Sequence, residues 1–373
     1  MLPSLRSCRG SGSFRPSGRT IPVERRSSMR LTTVLDAVRQ RTLFASIRSM
    51  RALTPYYRLS FAASAFSCGL VRLLVDGPLP FERIASKLAK DAGTHPALLA
   101  WLRLGVRVGE LREGARGFSL KGYSRMIAPP GRDPHAALFQ EAMSLHHDLI
   151  MGTPGKCARG EKWRLEDHDG RLIARSSRLG EPVMMEVIDR AIPRRGAVRL
   201  LEIGCGSGIY IRRAAERNPM LTAVGIELNA QAAAYARENM KNWGLDRRAV
   251  IENTDIRKYT TGERFDFASL YNNIYYFPAG ERLELIRHVR SFLKPGGMLL
   301  VTTPCPGGSA LSEILNLWSC ATKDCGPLPA VDEMEGVLRE AGFDRVGSRS
   351  LLPGDRFYVF TGRVPSGGAQ GRA

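Results

Sequence analysis

Three glycines at alternate positions, Gly204, Gly206 and Gly208, directly follow a largely apolar run from Val198 to Ile203. The run has the length and branching of a buried parallel strand, and the glycines let the backbone turn tightly and approach a ligand with no Cβ in the way. Glu202 stands two residues ahead of the first glycine, and Glu227 closes the next apolar run, which begins at Ala223. An acceptor-only carboxylate at the end of a second strand can take both hydroxyls of a ribose. Together these residues predict a nucleoside-binding turn. A dinucleotide fingerprint would place its third glycine at 209, where this chain has Ile209, and would set a pyrophosphate on the following helix N-terminus.

Two further motifs follow in order: Asn253-Thr254-Asp255-Ile256 after a third apolar run, and Lys294-Pro-Gly-Gly-Met-Leu-Leu-Val301. The ordered set resembles the class I S-adenosylmethionine (SAM) dependent methyltransferases. That resemblance implies SAM as cofactor, with Glu202, Gly204, Gly206 and Gly208 at its methionine end and Glu227 on the ribose. It also implies Asp255 and Ile256 at the adenine edge, and Asn272 in the cofactor set. The family's O-methyltransferases carry a His-Asp-Trp run after the fourth strand, and the matching positions here are Tyr275, Tyr276 and Phe277. A tyrosine with pKa about 10 is a poor base at neutral pH, so Tyr275 is expected to position the acceptor. The base is then His146 or His147, or none is needed because the acceptor is an amine, a thiolate or an activated carbon. The run Tyr271 to Tyr276 also sits where amino-group methyltransferases carry an Asp/Asn-Pro-Pro-Tyr loop, but both prolines are missing. Asn272 and Asn273 equally suit a strand ending. Tyr271, Tyr275, Tyr276 and Phe277 wall a flat or greasy substrate, or pack the core.

The elements that must position these residues read as alternating strands and helices. Strands are predicted at 199–203, 222–226, 249–253, 265–270 and 298–303, with a terminal hairpin at 346–351 and 356–362. Asn229 is expected to cap an alanine-rich helix closed by Gly244, and Gly280 to Leu293 to form the helix before the Pro295-Gly-Gly turn. The fold predicted is α/β: a Rossmann-like seven-stranded class I methyltransferase domain over 193–363, binding SAM. Before it, residues 31–130 read as an all-α, winged-helix module. Phe81 to Ala89 is a short helix, Thr94 caps a helix from Pro96 to Val108, and Glu110-Leu-Arg with Phe118-Ser-Leu forms the wing. This part resembles the dimerisation domain of bacterial and plant-type small-molecule O-methyltransferases, which implies a homodimer. Residues 131–192 are expected to hold connecting helices and the pocket roof, with one helix from Pro134 to Met151 carrying His146 and His147.

The net charge of +19 invites a nucleic-acid reading, but residues 1–60 hold twelve arginines against Glu24 and Asp36, leaving +9 for the remainder. The helix from Pro96 to Val108 carries only Arg103 and Arg107 as cations among many apolar residues, which suits packing better than groove reading. Residues 1–28 read as a disordered basic tail, with a targeting segment or an over-called start before Met29 as alternatives. Residues 364–373 read as a flexible tail. Seven cysteines without a CxxC pair fit a reducing cytoplasm and no metal site, and no apolar run reaches membrane-spanning length. The function predicted is methyl transfer to a small aromatic, polyketide-like or lipid-like metabolite. The alternatives are a nucleic-acid methyltransferase and a non-catalytic SAM-binding regulatory protein.

Overall fold

The computed structural model describes residues 31–39 and 42–366, so the expectations for residues 1–28 and for 367–373 lie outside the described residues. The chain divides into two compact units, one ending at Tyr56 and one beginning at Tyr57. In the first, the helix Leu31–Arg39 and the early turns of Thr42–Ser67 present Leu35, Phe44, Met50 and Leu53 to solvent. Among the described residues no helix is long and apolar enough to cross a membrane.

The second unit begins with a small module. Strands β1 (Leu111–Gly114) and β2 (Gly117–Leu120) pair antiparallel, and Leu79 bonds Phe118 in both directions to extend the ribbon. Helices Leu70–Leu74, Phe81–Leu88 and His95–Arg107 close a core of Phe61, Leu70, Ile84, Leu102 and Phe118 beneath it. The cap expected at Thr94 is corrected: its hydroxyl donates back to the Asp91 carbonyl at 2.6 Å, and its own backbone is already helical. The Asp91 carboxylate accepts from Gly93 N–H instead, so a 3-10 turn over Ala92–Thr94 leads straight into the helix. Pro96, in the first turn, lacks an N–H and so leaves one fewer donor to satisfy there.

The connecting segment also departs from expectation. The helix expected from Pro134 to Met151 is present but longer, running unbroken from Asp133 to Ala158, with a π turn over Ala142–His146 inside it. The helix expected from Gly280 runs over Arg282–Ser291, because Pro278 and a 3-10 turn at Ala279–Glu281 precede it.

The large sheet comprises β3 (Val198–Ile203), β4 (Leu221–Glu227), β5 (Ala249–Asn253), β6 (Phe265–Tyr271), β7 (Leu293–Pro304), β8 (Asp344–Ser350) and β9 (Phe357–Arg363). Their order is β5-β4-β3-β6-β7-β9-β8; the first five run parallel and β9 lies antiparallel between β7 and β8. Strands buried on both faces explain the near-continuous apolar runs. On one face lie Met184, Ile188, Ile211 and Ala236; on the other lie Ile256, Ile286, Val289 and Met334. The strand order reverses at β3, so the carboxyl ends of β3, β4 and β6 open the crevice where an open α/β sheet binds its ligand. Gly225 of β4 keeps that corner tight, since a Cβ there would stand 2.8 Å from the Cys205 thiol and 2.8 Å from Ile251.

Candidate active site

β3 and β4 pair in register with Glu202 opposite Gly225 and Ile203 opposite Ile226. Past that pair, Gly204 and Cys205 both donate to the Ile226 carbonyl, at 2.8 and 3.0 Å, which bends the chain back toward β4. Gly204, Gly206 and Gly208 all adopt positive φ, at 67°, 53° and 76°, a region costly for residues with a Cβ. Gly204 packs against the Asn273 amide and Gly208 against Met240, whereas a Cβ on Gly206 would meet nothing within 4 Å. Gly206 therefore faces open space. Its N–H donates to Glu227 at 2.9 Å, and the other Glu227 oxygen accepts from Asn229 N–H at 2.9 Å. Asn239 fastens the turn from behind through the Ser207 carbonyl at 3.0 Å. The structure thus brings Glu202, the three glycines and Glu227 into one corner.

Glu202 is 1% exposed, and its Oε2 is buried with no hydrogen-bond partner among the described residues. Burial pushes its carboxyl well above the usual carboxylate range, and the negative charge of Glu227 adds to the shift. Tyr210 and Tyr271, whose rings meet edge-on at 5.1 Å, lie within the field of Glu202, and burial followed by that charge raises both phenols. Asn273 donates to the Ile203 carbonyl at 2.5 Å while its Oδ1 is likewise buried without a partner. An unpartnered acid, an unpartnered amide oxygen and an open glycine in one corner suit a cationic, donor-rich ligand such as the amino-acid end of SAM. The donor set fits the cofactor.

The remaining predicted residues sit around this corner. Asp255 ends the β5 loop, where both its oxygens are held by Arg257 at 2.9–3.1 Å. Burial raises the Asp255 carboxyl, but the Arg257 bonds outweigh that and hold it below its usual range. Ile256 is buried beside it. Asn272 has φ 55°, rare outside glycine, and is held there by its N–H on the Thr302 carbonyl at 2.9 Å and by the Thr302 hydroxyl on its Oδ1 at 3.3 Å.

Beyond Asn272 the chain forms an aromatic wall. Tyr275 stacks on Tyr276 at 5.2 Å, and Trp318 meets both edge-on at 6.3 and 5.4 Å. Burial keeps the Tyr275 phenol protonated far above its ordinary pKa. The loop is fixed through its backbone: Gly326 N–H donates to the Tyr275 carbonyl at 3.0 Å, and the fully buried Arg282 donates to the Phe277 carbonyl at 3.3 Å and to Pro327. Leu145 and Leu149 of the connecting helices pack in the same cluster as Tyr275 and Trp318. His146 follows Leu145 in the chain, its Nε2 3.5 Å from Glu141 Oε1 and both side chains largely buried, whereas His147 is exposed.

Sequence reasoning singled out neither Glu141 nor Trp318, and left Asn273 open between a strand ending and a substrate contact. Glu141 and His146 are five apart, a spacing that opposes them on an α-helix and aligns them only where the π turn adds a residue. Trp318 carried no local signal, coming from the helix Ala310–Ala321 far downstream.

A parallel sheet of this order, with a glycine turn braced by the carboxylate of the neighbouring strand, defines a class I methyltransferase. The family model for a methyltransferase domain matches residues 174–347. The chain is similar to 27-O-demethylrifamycin SV methyltransferase of Amycolatopsis mediterranei, at 28% identity over 213 residues, covering 52% of this chain and 76% of that protein. It is similar to demethylspheroidene O-methyltransferase of Rhodobacter capsulatus at 23% identity, covering 76% of this chain and 74% of the relative. Among solved structures, an O-methyltransferase family protein from Burkholderia thailandensis shares the fold with TM-score 0.70 at 22% identity, covering 87% of this chain and 99% of that one. This chain is a SAM-dependent methyltransferase, similar to the small-molecule O-methyltransferases.

Because Glu227 holds two backbone donors at the rim of the corner, Glu227→Ala is expected to weaken SAM binding about tenfold to a hundredfold, in line with ~1.5–3 kcal/mol for a bond to a charged group. Calorimetric titration with SAM measures this, and an unchanged affinity would remove Glu227 from the site.

Proposed function

We propose that the chain methylates an oxygen of a planar, largely apolar small molecule, with SAM as donor. The observation that carries this reading is the largely buried His146–Glu141 pair, next in the chain to Leu145 of the Tyr275 and Trp318 cluster, with Asn273 of the same loop packed on the glycine turn. The names of the two relatives, each matched over more than half of this chain, support a small-molecule acceptor. SAM supplies a methyl group already activated by positive sulfur, so the protein's task is chiefly alignment. The aromatic wall aligns the acceptor ring and excludes water. His146 takes the hydroxyl proton, and Glu141 orients the imidazole and stabilises it once charged. Tyr275, neutral throughout, positions the acceptor and moves no proton. Glu202 and Asn273 hold the amino-acid end of the cofactor, Glu227 its ribose, and Ile256 with Asp255 its adenine edge.

The domain division proposed is a helical, winged module over 31–130 that dimerises, connecting helices and a roof over 131–192, and the SAM-binding domain over 193–363, in a cytoplasmic enzyme. Exposed Phe44, at 61%, and Met50, at 62%, support burial against a second copy. Phe44→Glu combined with Leu53→Glu is expected to give a monomer in sedimentation; an unchanged sedimentation coefficient would place any interface elsewhere.

With a hydroxyl acceptor, His146→Ala should lower kcat by about 100-fold to 10,000-fold, whereas Tyr275→Phe should mainly raise KM. Steady-state kinetics on a panel of phenolic acceptors decides this, and the reverse order of effects would dismiss His146 as base.

The raised pKa of Glu202 has a sign that can be checked. An uncharged carboxyl must lose its proton to meet a cationic ligand, so SAM affinity should rise with pH and level off above the raised pKa. Calorimetry in buffers of different ionisation enthalpy should detect proton release in the wild type and none in Glu202→Gln. Equal proton release in both proteins would assign the proton to another group.

A further inference from the structure

We propose that a cavity under the roof segment, between Trp163 and His168, is a recognition subsite for the remote end of the acceptor, taking a small neutral or cationic aromatic group with a hydrogen-bonding substituent. The proposal rests on the acceptor reading above and extends it to a place that reading does not use.

The cavity holds about 120 Å³, close to the 150 Å³ or so of engineered apolar cavities that admit benzene. Leu145, Leu172 and Ile173 give it apolar sides, and Trp163 gives it an aromatic one. Its polar features are distinct. Among its lining residues, His168 has an Nε2 that is buried with no hydrogen-bond partner among the described residues; Trp318 Nε1, outside the lining, is in the same state. Buried polar atoms are rarely left so, and a ligand substituent reaching His168 would satisfy the first. Burial lowers the pKa of the His168 imidazole, against the opposing pull of Asp167 and Asp148.

Charge narrows the ligand class. Asp148, Asp167 and Asp169 all border the cavity. Asp167 accepts from Arg164 N–H at 2.8 Å, and Asp169 accepts from Arg171 and Leu172 N–H at 2.9 and 3.2 Å. Asp148 forms no ion pair among the described residues. Lys156 lies 4.4 Å from the centre of the Trp163 ring and 3.9 Å from Glu161. An anionic ring would therefore be disfavoured, and a neutral or positive one accepted.

Position ties the cavity to the reaction. The His168 ring lies 5.6 Å from Trp163 and 6.4 Å from Trp318, and Trp318 is the residue that meets Tyr276 at 5.4 Å. Leu145, which lines the cavity, precedes His146 and packs in the cluster of Tyr275. An acceptor with its reacting atom at the Tyr275 wall would extend past Trp318 to reach His168.

Fluorine NMR titrations of the full chain with 4-fluorophenol, 4-fluorobenzylamine and 4-fluorobenzoate test this, with SAM calorimetry on every variant as the control for folding. Saturable binding of the phenol and the amine is expected, with the benzoate at least tenfold weaker. Leu172→Trp, which fills the space, should abolish binding of both. His168→Phe, which keeps a ring and removes the nitrogen, should weaken the phenol at least fivefold. Asp148→Asn should erase the preference for amine over benzoate. Unaltered phenol binding in Leu172→Trp and His168→Phe, or benzoate binding as tight as the amine, overturns the subsite. Should His146→Ala fail to slow turnover, the base assignment falls while these binding results stand.

Discussion

The site depends on one contact between neighbouring parallel strands: the Glu227 carboxylate receiving the Gly206 N–H. The strand register brings the ends of β3 and β4 level, but only this bond, with the two bonds onto Ile226, converts a level pair of ends into a closed corner. A charged acceptor on a backbone donor is stronger than a neutral pair, which suits a turn whose three glycines would otherwise have wide conformational freedom. Glu202 and Asn273 then reach the same corner from β3 and from the end of β6, because β3 lies between β4 and β6.

The two halves of the site are built by different physics. The cofactor corner is polar and local, made of backbone bonds within one strand-turn-helix unit and its neighbour. The aromatic wall is apolar and assembled from distant segments: the β6 loop, the helix Ala310–Ala321, and the connecting helix with its π turn. Arg282 ties the β6 loop to the segment after the helix Ala310–Ala321. Buried and paired with Glu333 at 3.2 Å, it spends its remaining donors on carbonyls of the two loops that frame the wall. Burial lowers its pKa somewhat against the pull of Glu333, yet from a starting value so high that the group stays charged.

This difference explains what could be read from residues alone. Strand periods, the glycine spacing and the Asn229 cap are short-range signals, and the seven strands lie within a few residues of their expected limits. Thr94 was misjudged because Asp91, three residues earlier, competes for the same turn. The π turn inside the connecting helix was not foreseen because it leaves no mark in apolar periodicity. The pairing of Glu141 with His146 is invisible for the same reason. Trp318 and His168 meet only in three dimensions, across 150 residues of chain, so no spacing rule could have joined them.

Around the aromatic wall, the loop that carries Tyr275 to Phe277 is held by its main chain: Asn272 in its left-handed conformation at the start, the Tyr275 carbonyl on Gly326, and the Phe277 carbonyl on Arg282. None of those bonds uses the aromatic side chains. Such an arrangement separates the course of the loop from the identity of its side chains: exchanging one aromatic for another leaves these main-chain bonds in place, whereas replacing Arg282 removes one and a side chain at Gly326 would crowd the Phe277 carbonyl.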